Sequence, residues 1–138
     1  MSVVMLTATG GGYSRWGDIA VSRWHEDATR DDSGSFVVLK DTRSGVVWSP
    51  AGTHSGPAPA RQDVHFAEDH AEFTRTDGSL TTSMDVLVSG EDDSEVRRVS
   101  LTNAGRKVRE IDVTSYAELV LTGAIADAAH PAFAKMFV

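Results

Sequence analysis

The chain has no cysteine, no long apolar run and a shortage of positive charge, and each lack removes a class of protein. Without cysteine there is no disulfide framework, which tilts the expectation toward a reducing compartment and a cytoplasmic location. No stretch approaches the roughly 20 apolar residues of a membrane helix, so no direct membrane contact is expected. The run Ser2-Val3-Val4-Met5-Leu6 has no basic residues before it and is soon broken by Thr7 and Thr9, unlike a secretory leader. Lys and Arg number 13 against 20 Asp and Glu, a formal net charge of −7. Arg15, Arg23, Arg30, Arg43, Arg61, Arg75, Arg97 and Arg98 are spread along the chain, so a phosphate backbone meets repulsion rather than a basic patch. Nucleic acid is not an expected partner.

What is present is a globular composition, 41% hydrophobic and 24% charged, over 138 residues, enough for one domain with a core. Period-two alternation dominates. In 79–88, Leu80, Met84, Val86 and Val88 fall on one side of a strand. In 109–121, Ile111, Val113, Ala117, Leu119 and Leu121 share a face, and Glu110, Asp112, Thr114 and Glu118 take the other. One buried and one wet face is the pattern of an antiparallel sheet.

Turn residues punctuate these runs. Asp77-Gly78 joins 71–76 to 79–88 as a hairpin, and 89–94 leads to a strand at 95–102. A second hairpin joins 35–41 to 46–49, and Asp69-His70 links 63–68 to the next strand. Residues 49–59 form a longer loop, because Pro50, Gly52, Gly56, Pro57 and Pro59 exclude regular pairing. Only 123–129 favours a helix, stopped by His130-Pro131, after which 132–138 reads as another strand beginning. Eight or nine strands with tight connections predict an all-β, antiparallel sandwich. The apolar ending Lys135-Met136-Phe137-Val138 suggests a fragment cut within or just before further sheet, whose open edges would favour a homo-oligomer.

The least ordinary segment is Gly10-Gly11-Gly12-Tyr13-Ser14-Arg15-Trp16-Gly17-Asp18. Gly11 and Gly12 permit close backbone approach, Tyr13 and Trp16 offer flat faces for sugar rings, and Ser14, Arg15 and Asp18 supply hydrogen bonds. Arg23, Trp24 and Trp48 extend the set of carbohydrate or interface candidates. The plainer reading is a glycine-rich connection between strands whose aromatics belong to the core. The segment lacks the Lys-Ser/Thr ending of a phosphate loop and the final glycine of a nucleophile elbow.

No catalytic, cofactor or metal site is legible. His25-Glu26-Asp27-Ala28-Thr29 lacks the second histidine of a zinc helix, and His25, His54, His65, His70 and His130 show no ligand spacing. The acidic runs Asp31-Asp32 and Glu91-Asp92-Asp93 fit neither a calcium loop nor an acid/base pair, and read as solvated turns. No nucleophile, base and orienting group converge.

The run from Gly10 to Trp24, with Thr29-Arg30-Asp31-Asp32-Ser33-Gly34-Ser35-Phe36, resembles the N-terminal β-sandwich of the glycoside hydrolase family 94 phosphorylases. It also resembles the related domain of cyclic β-1,2-glucan synthases, which looks closer. The resemblance extends through Val46-Val47-Trp48-Ser49-Pro50, 95–103, 114–121 and 127–138, nearly the whole chain. It implies a supersandwich similar to the galactose mutarotase fold, continuing beyond residue 138 and followed in the family by a helical linker and a catalytic (α/α)-barrel. The barrel holds the acid Asp and the phosphate site for phosphorolysis of β-glucosides. By that resemblance the chain is a truncated, non-catalytic carbohydrate-binding or structural domain of a larger enzyme, one that can be attached to the inner membrane. Tyr13, Arg15 and Trp16 would then face a β-glucan or a partner subunit. Two alternatives stay open: an independent carbohydrate-binding module using Tyr13, Trp16, Trp24 and Trp48, and a mutarotase-like enzyme using His65 or His70 with Glu118.

Overall fold

A computed structural model describes residues 1–25, 27, 29, 30, 32–52 and 56–134. Glu26, Asp31, His54 and residues 135–138, which all enter the sequence reading, lie outside them. The described chain runs β1 (Ser2–Leu6), β2 (Gly12–Trp16), β3 (Ile19–Ser22), β4 (Ser35–Asp41), β5 (Val47–Trp48), β6 (Arg61–Phe66) and β7 (His70–Asp77). It continues through β8 (Leu80–Val88), β9 (Glu95–Asn103), β10 (Ile111–Ala117) and β11 (Leu119–Gly123) to the short helices α1 (Ala124–Ala129) and α2 (Pro131–Ala134). Three antiparallel sheets result, with orders β1-β2-β3-β11, β10-β4-β5 and β6-β7-β8-β9. The all-β expectation holds.

The sandwich forms where the third sheet covers the second. Ala71 and Phe73 of β7 and Leu80, Met84 and Val86 of β8 turn inward onto Val37 and Leu39 of β4 and Trp48 of β5. Alternation along β8 buries Leu80, Thr82, Met84 and Val86. Thr82 can occupy an apolar face because its hydroxyl oxygen accepts the Trp48 indole N–H at 3.1 Å, so neither polar group is left unpaired. The β7–β8 hairpin closes around Gly78 at φ 59°, a left-handed position that glycine adopts without a Cβ penalty. Its neighbour Arg75 is also buried, its guanidinium binding both oxygens of Asp77 and the Pro57 carbonyl.

Three expectations need correction. Residues 109–121 are not one strand: the chain breaks at Glu118, and β10 pairs with β4 while β11 pairs with β3 in another sheet. The break shifts the phase of burial. Val113 shares the inner face of the second sheet with Leu39, yet it is 53% exposed because the third sheet ends at β9. Beyond the break Val120 is buried, and Leu119 and Leu121 are half-exposed. Leu121 has φ 55°, the one positive value at a non-glycine among the described residues, where the β3–β11 register slips.

The second correction concerns 132–134, since Pro131–Ala134 form a helical turn where a strand was expected to begin; 135–138 lie outside the described residues. Proline suits a first helical position, where its missing N–H leaves no bond unmade. The third is the glycine-rich segment, most of which is strand β2 rather than a connection.

Candidate functional site

Gly12 begins β2 at φ 148°, and a Cβ there would lie 1.9 Å from the Met5 carbonyl oxygen. Only glycine allows β2 to lie this close to β1. The Gly12 N–H reaches sideways to the Ser33 carbonyl at 2.8 Å, fixing the start of the strand. From there alternation divides the aromatic motif. Tyr13 packs edge-on against Trp24, ring centres 5.7 Å apart, with the Arg15 guanidinium 5.9 Å from the Tyr13 ring. Ser14 and Trp16 take the other face and line a cleft. Residues an odd number apart on a strand cannot form one platform.

The cleft, about 850 Å³, lies where β2 and β3 of the first sheet meet β4 and β10 of the second and β9 of the third. Trp16, Phe36, Val37, Val99, Val113 and Tyr116 supply its apolar lining; Ser2, Ser14, Ser35, Ser115, Asp93, Glu95 and Arg97 supply polar groups. Glu95 and Arg97, two apart on β9, point the same way and form an ion pair at 2.5 Å. The Ser14 hydroxyl donates to the other Glu95 oxygen at 2.6 Å, and Arg97 also donates to the Ser35 carbonyl. Both charged side chains are largely buried and paired.

At the rim the Trp16 indole N–H donates to Asp93 Oδ2 at 2.7 Å, and the Ser2 amide donates to Asp93 Oδ1 at 2.6 Å. The indole N–H, with a smaller contribution from Ser2, holds the Asp93 carboxyl below the usual carboxylate range. The Trp16 ring stays half-exposed and Tyr116 is 60% exposed.

The other candidates are placed elsewhere. Gly11 is buried, and Asp18 is exposed in the β2–β3 turn beside Gly17. Arg23 is buried in an ionic cluster, donating to both oxygens of Asp127 on α1 and to Glu118 at 2.9 Å. Its amide also donates to the Glu118 carbonyl, which anchors the break between β10 and β11. Trp24 is partly exposed against Tyr13, and Trp48 is in the core, 3% exposed. His65 and His70 belong to the third sheet, His70 bound to Asp69 at 2.7 Å, whereas Glu118 is bound to Arg23. Among the described residues no group of three His, Asp or Glu side chains is placed to hold a metal ion. No described helix is long and apolar enough to cross a membrane.

Sequence reasoning missed Asp93, Glu95, Arg97 and Tyr116 as cleft residues. The spacing Glu95-x-Arg97 on a strand was a usable signal, because residues two apart share a face.

The sequence model of the glycosyl hydrolase 94, supersandwich domain matches residues 2–138. The chain belongs to that family. Over 136 residues it is 48% identical to the cyclic beta-(1,2)-glucan synthase NdvB of Rhizobium meliloti (strain 1021). The alignment covers 98% of this chain and 5% of that relative, so the supersandwich chain spans about a twentieth of the relative's length. The sheets described above are the supersandwich portion.

Proposed function

We propose that this supersandwich chain is a non-catalytic module of a larger glucan-processing protein, similar to a cyclic β-1,2-glucan synthase, and that it contacts sugar and supports a separate catalytic (α/α)-barrel. The observation that carries the reading is the 48% identity across nearly the whole chain to a protein about twenty times longer. The engaged state of Glu95 and Arg97 supports it too. Each charge is neutralised by the other, which suits holding a ligand better than transferring a proton. We place the module in the cytoplasm, consistent with its lack of cysteine. The bare outer edges of β9 and β10 make self-association part of the same reading.

The test uses the purified chain with β-1,2-glucan and inorganic phosphate. No glucose 1-phosphate should form, while titration calorimetry should detect binding of the glucan in the millimolar range. Phosphorolysis by this chain alone overturns the non-catalytic reading, and a strictly monomeric mass in light scattering at high concentration removes the self-association.

A further inference from the structure

We propose that the cleft between β2, β9 and β10 is a subsite for a short neutral glucan, with Trp16 as its stacking face and Glu95 and Asp93 as hydroxyl acceptors. This rests on the carbohydrate reading above and assigns it a place, to which the glycine-rich motif contributes Ser14 and Trp16.

Size comes first. About 850 Å³ lies within the roughly 300–1,000 Å³ of small-molecule sites. The chemistry of the lining is mixed in the way a sugar needs. A pyranose presents an apolar face of C–H groups and an equatorial rim of hydroxyls. Val37, Val99 and Val113 form part of an apolar lining, and the aromatic ring of Trp16 is half open to solvent.

The acceptors are already oriented. Glu95 is fixed by Ser14 and Arg97, and Asp93 by Trp16 and Ser2. A carboxylate has about four lone-pair positions, so each retains capacity to accept a hydroxyl hydrogen. The same bonds immobilise the Trp16 ring before any ligand arrives, which lowers the ordering cost of binding. The Asp93 and Glu95 carboxylates are balanced by the Arg97 guanidinium and by the Met1 ammonium 3.5 Å from Asp93 Oδ1, so no surplus positive charge is left for a phosphorylated sugar and a neutral polyol suits the cleft.

The test is calorimetric titration of the purified chain with a short linear β-1,2-glucooligosaccharide, alongside backbone-amide NMR shifts. Expected are millimolar affinity and shifts concentrated on β2, β9 and β10. Trp16→Ala should weaken binding about fivefold, as loss of an aromatic contact does. Trp16→Phe keeps a flat face and should retain most of the affinity. The position is exposed enough that the fold survives, checked by an unchanged amide spectrum away from the cleft. Wild-type binding that Trp16→Ala does not weaken overturns the cleft assignment and leaves the carbohydrate reading standing. No binding by wild type at tens of millimolar sugar overturns both. A phosphorylated glucoside bound more tightly than the neutral sugar overturns the stated ligand class.

Discussion

The Trp16 indole N–H and the Asp93 carboxylate meet at 2.7 Å although 77 positions separate them in sequence. The bond ties the first sheet to the loop entering β9, and it holds a half-exposed ring in one orientation. Replacing Asp93 with Ala frees the indole. Tryptophan emission should shift to longer wavelength and acrylamide quenching should rise, with little change in melting temperature because the pair is exposed. An unchanged quenching constant would contradict an anchored ring.

Gly12 tests the close approach of β1 and β2. In Gly12→Ala the new methyl meets the Met5 carbonyl oxygen at 1.9 Å, and backbone cannot move aside as a flexible side chain can. The loss of stability should exceed about 3 kcal/mol, within the range of severe single substitutions. Gly78→Ala is the control. Its φ is 59° but nothing lies within 4 Å of the added Cβ. It should cost only about 1–2 kcal/mol, the ordinary left-handed penalty. Urea unfolding of the two variants separates steric collision from dihedral strain.

Arg75 separates charge from packing. Its side chain is 1% exposed, and Nη1 has no hydrogen-bond partner among the described residues. Arg75→Ala leaves a cavity and strips Asp77 of its partner, and should cost about 3 kcal/mol, the low end for a broken buried pair because Asp77 is 28% exposed. Arg75→Met fills much of the same space without a buried charge, so its loss should be roughly half as large by urea denaturation. Equal losses would mean that the ion pair, not the packing, dominates at this position.

The parts of the fold that depend on neighbouring residues were readable from sequence, and those that depend on distant partners were not. Asp77-Gly78 announces the β7–β8 hairpin because the turn needs a positive φ at Gly78, and alternation in 79–88 identifies Leu80, Met84 and Val86 as inward. The break at Glu118 escaped because its cause is Arg23, 95 positions away. Alternation alone carried the strand through to Leu121. Trp48 illustrates a different limit: an aromatic ring suits a sugar platform or a core equally well, and β5 is only two residues long, too short to show a phase. The glycine-rich motif was correctly singled out as unusual, but its aromatics could be divided between two faces only once Gly12–Trp16 was seen to be a strand. Asp93 had no local signal, since an acidic turn is usually just solvated.

Asp41 gives a prediction in pH. One carboxylate oxygen accepts the amides of Arg43 and Ser44 at 2.9 Å each, and the other accepts Arg109 Nε at 2.6 Å. The Ser44 amide and then the Arg109 guanidinium hold its pKa at about 2. In the unfolded chain the group titrates near its ordinary value of about 3.9. A depressed folded value means that the unfolded state takes up the proton first, so falling pH favours unfolding through this window. The contribution of Asp41 is therefore complete above about pH 5, declines as pH falls through the unfolded value, and is gone below about pH 2. Asp41→Asn, which keeps an acceptor for the turn but loses the charge facing Arg109, should be less stable than wild type at neutral pH. The gap between their urea midpoints should narrow steadily as pH drops toward about 3. A gap that stays constant across that range would show that Asn disrupts the turn sterically and that the carboxylate's charge contributes nothing.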